Sequence, residues 1–177
     1  MIDLPDGLHL RDAADEDWWG IVALVSACWA EYPGCVMDAH GECPDLLEPA
    51  TSYSRAGGAF WVVTDACGNV VAVAGWRPLQ SGAVELDRMY VSPRWRRHGI
   101  ASALADRIED VAAERRAPSV ELWSDTRFKA AHAFYEGRGY RRSGPDRSLG
   151  DLSATVEHHF VLSSAVAAGS DSDGGHR

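Results

Sequence analysis

The sequence lacks an apolar run of the length that crosses a bilayer, which takes about 20 consecutive apolar residues. Its strongest apolar run, residues 70–76, is far shorter. The first residues, MIDLPD, also lack the basic and apolar stretches of a secretory signal. We therefore expect a cytoplasmic protein that does not bind membranes.

Cysteine is scarce as well, with four residues in a chain of 177. Four cysteines at irregular spacing do not form the disulfide framework of a secreted protein, so we interpret them as free thiols in a reducing compartment. Cys35, His40 and Cys43 match no common zinc spacing, and no fourth ligand lies nearby in the sequence. We therefore expect no metal cofactor.

Basic residues are fewer than acidic ones: the chain has 17 Lys and Arg residues and 26 Asp and Glu residues, and its formal net charge is -9. This balance argues against general binding to nucleic acid or to anionic membranes, and it is compatible with a cationic substrate. The content of hydrophobic residues, 46%, is ordinary for a globular protein. The length predicts a single domain over residues 1–163, followed by a Gly/Ser/Asp-rich tail, residues 164–177, that we expect to be disordered.

The apolar periodicity predicts alternating strands and helices. Helices are predicted over residues 15–29, over 100–116, and from a cap at Asp125 or Thr126 to about residue 138. Strands are predicted over residues 8–12, 60–64, 70–74, 84–91, 119–123, 140–142 and 155–162. Residues 31–58 are broken by Pro and Gly and are predicted to be mostly irregular. This order is typical of an α/β or α+β sheet with helices on its faces.

The segment 91–102, VSPRWRRHGIAS, concentrates positive charge where a predicted strand ends and a predicted helix begins. The first turn of a helix leaves backbone N–H groups unpaired and carries about half a positive charge, so it binds anions. We predict that the amides of residues 97–102 bind a pyrophosphate, with charge-assisted hydrogen bonds from the arginine side chains. The alternative interpretation is that these arginines are solvated loop charges.

Residues 86–104 resemble the acetyl-CoA-binding core of the GNAT (Gcn5-related N-acetyltransferase) superfamily. The loop signature of that family is Gln/Arg-x-x-Gly-x-Gly/Ala, and Arg96, Gly99 and Ala101 occupy its three defined positions. Residues 131–140, AHAFYEGRGY, resemble the family's Ala-x-x-x-Tyr-x-x-x-Gly-Phe/Tyr segment. The resemblance implies a mixed, mostly antiparallel central sheet of about six to seven strands, splayed between strands 4 and 5 and flanked by about four helices.

The resemblance further implies an acetyl-CoA-dependent N-acetyltransferase in which a neutral amine attacks the acetyl carbonyl directly. Pantetheine is expected to lie between the splayed strands, residues 83–91 and 119–123. The residues that the resemblance assigns to coenzyme A are Met89, Tyr90, Val91, Arg96, Arg97, His98, Gly99, Ile100, Ala101, Ser102 and Tyr135.

Two side chains are expected to take part in the chemistry. Tyr135 matches the family's tyrosine near the sulfur of coenzyme A, where a phenol can hydrogen-bond or protonate the departing thiolate. Glu85 lies where several members carry a base that acts through water. Asp87 is the competing base, because the family's strand commonly bulges here and strand alternation then no longer decides which side chain faces the site.

The sequence departs from the family seven residues before the tyrosine, where an asparagine is common and Phe128 stands instead. The residues left open to replace it are Asp125, Thr126 and His132. The acceptor is expected to be a small or amino-acid-like amine, bound by Tyr32, Asp38 and Glu42; a solvated acidic loop is the alternative interpretation of these residues. A binding module that does not turn over CoA thioesters, an acetyltransferase acting on protein amino groups, a different anion in the loop, and a homodimer are also left open.

Overall fold

The computed structural model describes residues 4–164 as one eight-stranded sheet with helices on both faces. The helices are α1 (Trp18–Trp29), α2 (Pro49–Arg55), α3 (Ile100–Glu114) and α4 (Lys129–Gly137). The strands are β1 (His9–Asp12), β2 (Ala59–Thr64), β3 (Val70–Pro78), β4 (Val84–Val91), β5 (Ser119–Asp125), β6 (Arg141–Arg142), β7 (Arg147–Ser148) and β8 (Val156–Ser163). Their order across the sheet is β1-β2-β3-β4-β5-β8-β6, and β7 pairs with β8.

The mixed, mostly antiparallel fold expected from the sequence is confirmed, with four α-helices and one parallel pairing, between β4 and β5. The strand count is eight rather than six to seven, because the two-residue β7 is too short to carry an apolar alternation. The tail predicted over residues 164–177 lies, from residue 165 onward, outside the described residues. Among the described helices, none combines the length and apolar character needed to cross a membrane.

The start of α4 differs from the prediction. Asp125 is the last residue of β5, and the helix begins at Lys129 with Phe128 as its N-cap residue. The Asp125 carboxylate accepts a hydrogen bond from the backbone N–H of Arg127 at 2.8 Å and pairs with the guanidinium of the same residue. The Asp125 carboxylate is held by this turn, and since Phe128 is the N-cap residue, neither Asp125 nor Thr126 caps the helix.

The sheet separates two apolar cores. On one face, α3 presents Ile100, Leu104 and Ile108, each no more than 1% exposed, to a cluster that includes residues of β4, β5 and β8. On the other face, α1 and α2 pack against β2 and β3 through a second cluster, which includes Ile21 and Tyr53. Each buried aliphatic side chain contributes about 1.5–3 kcal/mol. This packing fixes the first turn of α3 directly after the end of β4.

The gap between β4 and β5 opens after two paired positions. Their parallel pairing consists of Val84 with Val120 and Glu85 with Glu121. Beyond these pairs β5 continues with β8 on its other side, from Ser119 to Asp125. The splay between strands 4 and 5 that the resemblance implies is therefore present, and backbone edges of both strands face the gap.

A β-bulge interrupts β4 at the point where the gap opens. Val73 of β3 pairs with Tyr90, whereas Gly75, two residues along, pairs with Asp87. One extra residue therefore lies in β4, and Arg88 takes a left-handed backbone conformation with φ of 53°. Since a bulge shifts the alternation by one residue, Asp87 and Tyr90 lie on the same face of the sheet, the face that α1 covers.

Candidate active site

Two adjoining cavities lie at the splayed end of β4 and β5. The first, here called the loop cavity, has a volume of about 710 Å³ and extends along the first turn of α3. The second, here called the carboxylate cavity, has a volume of about 460 Å³ and lies on the side of residues 149–155. The walls of both include Met89, Tyr90, Phe128, Ala131 and Tyr135. The two cavities therefore meet at Tyr135.

The loop cavity brings together most of the residues predicted to bind coenzyme A. Its walls include Met89, Tyr90, Val91, Arg96, Arg97, Gly99, Ile100, Ala101, Ser102 and Tyr135. Gly99 precedes α3 with φ of 81°, and the first helical hydrogen bond runs from the N–H of Ala103 to the Gly99 carbonyl at 2.9 Å. The N–H groups of Ile100, Ala101 and Ser102 thus precede the helical ladder and remain open to an anion.

Two residues of the predicted phosphate site have other roles in the structure. The Arg96 guanidinium is bound by Glu31 at 2.6 and 2.8 Å, and its Nε donates to the Val91 carbonyl at 3.2 Å. Arg96 therefore ties the end of α1 to the end of β4. His98 is exposed, off the cavity wall, with Nδ1 2.8 Å from the Arg96 carbonyl. Arg97 is exposed and makes no ion pair within residues 4–164, so it is the arginine on the wall with a free positive charge.

Tyr135 occupies the junction of the cavities. It projects from α4, is 5% exposed, and its ring packs near those of Phe134, Tyr140 and Phe160. Its hydroxyl makes no hydrogen bond to any described residue. Burial raises the pKa of Tyr135 above its ordinary value, so the phenol stays protonated at neutral pH. The side chain is therefore fixed in place as a hydrogen-bond donor.

The side chain of Tyr90 also lies at the junction, which the sequence did not reveal. Trp29 Nε1 donates a hydrogen bond to the Tyr90 hydroxyl at 2.9 Å, and burial raises the pKa of this phenol. Strict alternation along β4 places Tyr90 on the face opposite Asp87. The bulge at Arg88 brings the two together.

The two candidate bases are separated by the structure. Asp87 lines the carboxylate cavity, and its carboxylate accepts hydrogen bonds from the Tyr53 hydroxyl and from Arg77 Nη2, both at 2.7 Å. Glu85 lies on the same face, beside Glu121 and outside the walls of both cavities. Burial, and then repulsion from Asp87, raises the pKa of Glu85. The cavity geometry thus favours Asp87 over the expected Glu85.

A four-charge network lies beside the carboxylate cavity. Arg88 donates to both oxygens of Asp45 at 3.0 Å, Arg77 lies 3.4 Å from the same carboxylate, and Arg77 also binds Asp87. These contacts hold the bulge of β4 in place. Arg77 and Asp45 were missed by the sequence reasoning because they are 32 residues apart and share no motif.

The three residues expected to bind the acceptor lie in different places. Tyr32 lines the loop cavity, with its ring centroid 4.5 Å from that of Phe128. Asp38 lines neither cavity. Its Oδ1 accepts a hydrogen bond from the Gly41 N–H at 2.8 Å and closes a turn in its own loop. Glu42 lines the carboxylate cavity, where its Oε1 accepts from the Leu152 N–H at 2.6 Å.

The carboxylate cavity is covered by residues 149–155, here called the roof segment, which the sequence did not connect with the site. Ser153 Oγ accepts from the Val36 N–H at 2.8 Å, and its carbonyl accepts from Arg127 at 3.2 Å. Of the three candidates to replace the family asparagine, Asp125 lines this cavity, whereas Thr126 and His132 line neither. His132 is buried with Nε2 2.9 Å from the Asp125 carbonyl, which is a structural role.

Comparison with known proteins identifies the family. The sequence profile of the acetyltransferase (GNAT) family matches residues 18–140, more than half of the chain. Human N-acetylaspartate synthetase is 35% identical over 119 residues, which is 64% of this chain and 39% of that protein, so the chain spans about two fifths of the length of this relative.

Solved structures share the fold at low identity. An acetyltransferase from Streptococcus agalactiae 2603 superposes with a TM-score of 0.76 at 17% identity, over 89% of this chain and 99% of that one. The PaiA N-acetyltransferase from Thermoplasma acidophilum, solved in complex with coenzyme A, superposes with a TM-score of 0.65 at 15% identity, over 86% of this chain and 97% of that one. With its splayed sheet, its glycine-led helix and the profile match, the chain belongs to the acetyltransferase (GNAT) family.

Proposed function

We propose that this protein transfers the acetyl group of acetyl-CoA directly to the amine of a small, amino-acid-like acceptor. The observation that carries the proposal is that two cavities of different character meet at one buried tyrosine. One cavity runs along unpaired helix amides and suits a pyrophosphate. The other is roofed and lined by carboxylates, and it suits a small amine better than the chain terminus of a folded protein.

In the proposed complex the pyrophosphate accepts hydrogen bonds from the amides of residues 100–102, and Arg97 adds positive charge. The pantetheine arm follows the open edge of β4 towards Tyr135. Support comes from the family membership and from the coenzyme A bound in the Thermoplasma neighbour. Since the Val91 carbonyl already accepts from Arg96, the N–H of Val91 is the group of this residue left for pantetheine.

The reaction requires one bond to form and one to break. The neutral amine nitrogen attacks the thioester carbonyl carbon, the carbon–sulfur bond breaks, and the thiolate of coenzyme A departs. Tyr135 donates a hydrogen bond to the developing thiolate; its raised pKa favours hydrogen-bond donation over complete proton transfer. The ammonium proton passes through water to Asp87, which lines the cavity. Holding amine and thioester in adjoining cavities supplies the orientation that the step needs.

Two alternatives to this function are aspartate as the acceptor and a module that binds CoA thioesters without turnover. The name of the human relative implies aspartate as acceptor in that protein, and aspartate is therefore the second candidate here. A module that only binds CoA thioesters would not need the second, roofed cavity beside Tyr135. We further propose that the reaction takes place in the cytoplasm, since all four cysteines are free thiols and free thiols persist in reducing compartments.

The proposal is tested by incubating the purified protein with acetyl-CoA and a panel of small amines, amino acids and peptides. We expect release of the coenzyme A thiol and a product heavier by one acetyl group with at least one small amine. Titration calorimetry with coenzyme A alone, at low salt, should show binding. Binding without thiol release on any amine would support the binding module, and preferred acetylation of peptides would contradict a small acceptor.

The assignment of Asp87 over Glu85 predicts opposite outcomes for two isosteric variants. Glu85→Gln should keep kcat within about threefold and raise Tm at neutral pH. Because the folded-state pKa of Glu85 is raised above its ordinary 4.5, its ionised form destabilises the fold. The gain should therefore be absent below the ordinary pKa of 4.5, where the carboxyl is protonated in both states, grow as pH rises towards the raised pKa, and stay constant above it. Asp87→Asn should lower kcat by about 10²-fold or more.

Thermal melts at about pH 5 and pH 8, with kcat measured at several pH values, check both expectations. Tyr53→Phe is the control for Asp87, because it removes one hydrogen bond to that carboxylate and leaves the charge. If Glu85→Gln loses activity as far as Asp87→Asn does, the proton passes through Glu85 instead.

A further inference from the structure

The two oxygens of Asp87 differ in their contacts. Oδ2 accepts hydrogen bonds from the Tyr53 hydroxyl and from Arg77 Nη2, both at 2.7 Å. Oδ1 accepts none within residues 4–164, since Arg88 Nε lies 3.9 Å from it, beyond hydrogen-bond distance. The Asp87 side chain is 26% exposed and lines the carboxylate cavity, and Oδ1 is not a buried atom. One oxygen is therefore held from behind the wall, and the other is open to the cavity.

Tyr53 reaches this carboxylate from α2. It is fully buried and lines neither cavity. Its ring supports the second donor, because the Arg77 Cζ lies over it at 4.3 Å from the ring centroid. Burial, and then repulsion from Asp87, raises the pKa of Tyr53 well above its ordinary value, so the phenol stays protonated. Tyr53 thus donates one hydrogen bond to Asp87 and supports the guanidinium that donates the other.

A glycine in β3 makes room for this contact. Gly75 is the register partner of Asp87. A Cβ at Gly75 would lie 2.8 Å from Tyr53 Cζ and 2.9 Å from Phe60 Cδ2, well inside the 3.5–4.0 Å at which carbon atoms pack. A larger residue at position 75 would therefore displace the Tyr53 ring. Residues from three separate elements, α2, β3 and β4, fit together at one hydrogen bond.

The open oxygen of Asp87 lies on the wall that the reacting groups would share. Asp87 and Tyr135 both line the carboxylate cavity. Burial raises the pKa of Tyr135, and repulsion from Tyr90 and from Asp87 adds to it, so the carboxylate lies within electrostatic reach of the junction. A carboxylate without fixed partners turns about its Cβ–Cγ bond, whereas two donors on one oxygen oppose that rotation. A group oriented in advance needs no reorganisation when the reaction takes place.

We propose that Tyr53 is a positioning residue for the proton transfer: together with Arg77, it holds the Asp87 carboxylate so that Oδ1 faces the acceptor amine. The inference rests on the proposed acetyl transfer and specifies how one of its steps is directed. The ammonium formed by attack gives a proton to a water molecule, and that water gives one of its own protons to Oδ1. Oδ2 keeps both of its donors throughout, and Tyr53 exchanges no proton and touches no substrate.

The experiment measures steady-state thiol release for the native protein, Tyr53→Phe, Asp87→Asn and the double variant. Tyr53→Phe removes only the hydroxyl and keeps the ring beneath Arg77. It should lower kcat by roughly 10-fold, near the lower end of the range for a hydrogen bond to a charged group, and keep KM for both substrates within about threefold. The loss is smaller than in Asp87→Asn, because the charge remains. In the Asp87→Asn background, Tyr53→Phe should cause no further loss, since no carboxylate is left to position.

Tyr140→Phe is the matched control. Tyr140 is also fully buried, and its hydroxyl donates to a carboxylate, that of Glu109, at 3.2 Å. Neither Tyr140 nor Glu109 lines a cavity. Both phenylalanine variants should therefore have a lower Tm than the native protein, and only Tyr53→Phe should have a lower kcat. This split between Tm and kcat separates positioning from a purely structural role.

Native kcat in Tyr53→Phe, or the same fold-loss in the native and Asp87→Asn backgrounds, overturns this inference while acetyl transfer stands. A loss that appears in KM alone also overturns it. If Asp87→Asn keeps the native kcat, the proton does not pass through Asp87 and the inference fails together with that step. Absence of thiol release from the native protein with every amine contradicts the proposed function, and this inference with it.

Discussion

Replacing Tyr135 by phenylalanine is expected to lower kcat by about 10²–10³-fold, while the affinity for coenzyme A stays within about threefold of the native value. The variant removes one hydroxyl from the junction of the two cavities and keeps the ring that packs against Tyr140 and Phe160. The hydroxyl stabilises mainly the transition state, in which the thiolate develops its charge, so its removal lowers kcat and not the affinity for coenzyme A. Steady-state thiol release and calorimetry measure the two quantities.

Tyr140→Phe is the control for this experiment. Tyr140 belongs to the same sequence block and is fully buried, but its hydroxyl donates to Glu109 at 3.2 Å and lines neither cavity. The Tyr140→Phe variant should have a lower Tm than the native protein and the same kcat. Equal losses of kcat in the two variants would mean that Tyr135 serves packing rather than chemistry.

Replacing Ala101 by glutamate is expected to weaken coenzyme A binding by at least about 100-fold at low salt. Ala101 lies in the first turn of α3 on the wall of the loop cavity. A carboxylate there would meet the pyrophosphate at close range, yet acidic residues stabilise the first turn of a helix, so the fold should be retained. Calorimetric titration at two salt concentrations measures the effect, which screening should reduce.

Two further variants separate charge from size and from position. Ala101→Gln has nearly the same volume without the charge and should bind more tightly than Ala101→Glu. Ala113→Glu adds a carboxylate to an exposed position near the other end of α3 and should bind as the native protein does. Native affinity in Ala101→Glu would place the pyrophosphate elsewhere and contradict the proposed loop cavity.

Local sequence signals predicted the scaffold of the site. Apolar periodicity predicted the strands over residues 60–64 and 70–74 and the helix over residues 100–116, because such patterns depend on residues close together in the chain. The two motif blocks, around Gly99 and Tyr135, likewise led to the residues that form the junction and the loop cavity. The function of Arg96 was less predictable, because its partner Glu31 comes from a distant segment.

The acceptor side could be predicted only in part. Asp87 and Tyr90 lie on the same face of the sheet because β4 contains one extra residue. The pairing register with β3 reveals this bulge, whereas the alternation of apolar residues along β4 does not. The roof segment joins residues 110 or more positions apart, as between Glu42 and Leu152. A sequence of polar loop residues carries no period that would signal such contacts, so Asp38 and Glu42 looked equivalent before the fold was known.

The short pairing of β4 with β5 also bears on solubility. Strand edges without a partner usually attract edges of other chains and promote aggregation. In this protein the unpaired edges of β4 and β5 face a gap whose residues line the two cavities, beside the first turn of α3. The outer edges of the sheet, β1 and β6, lie elsewhere, and an extended, narrow molecule can use the main-chain groups of β4 and β5 in the gap.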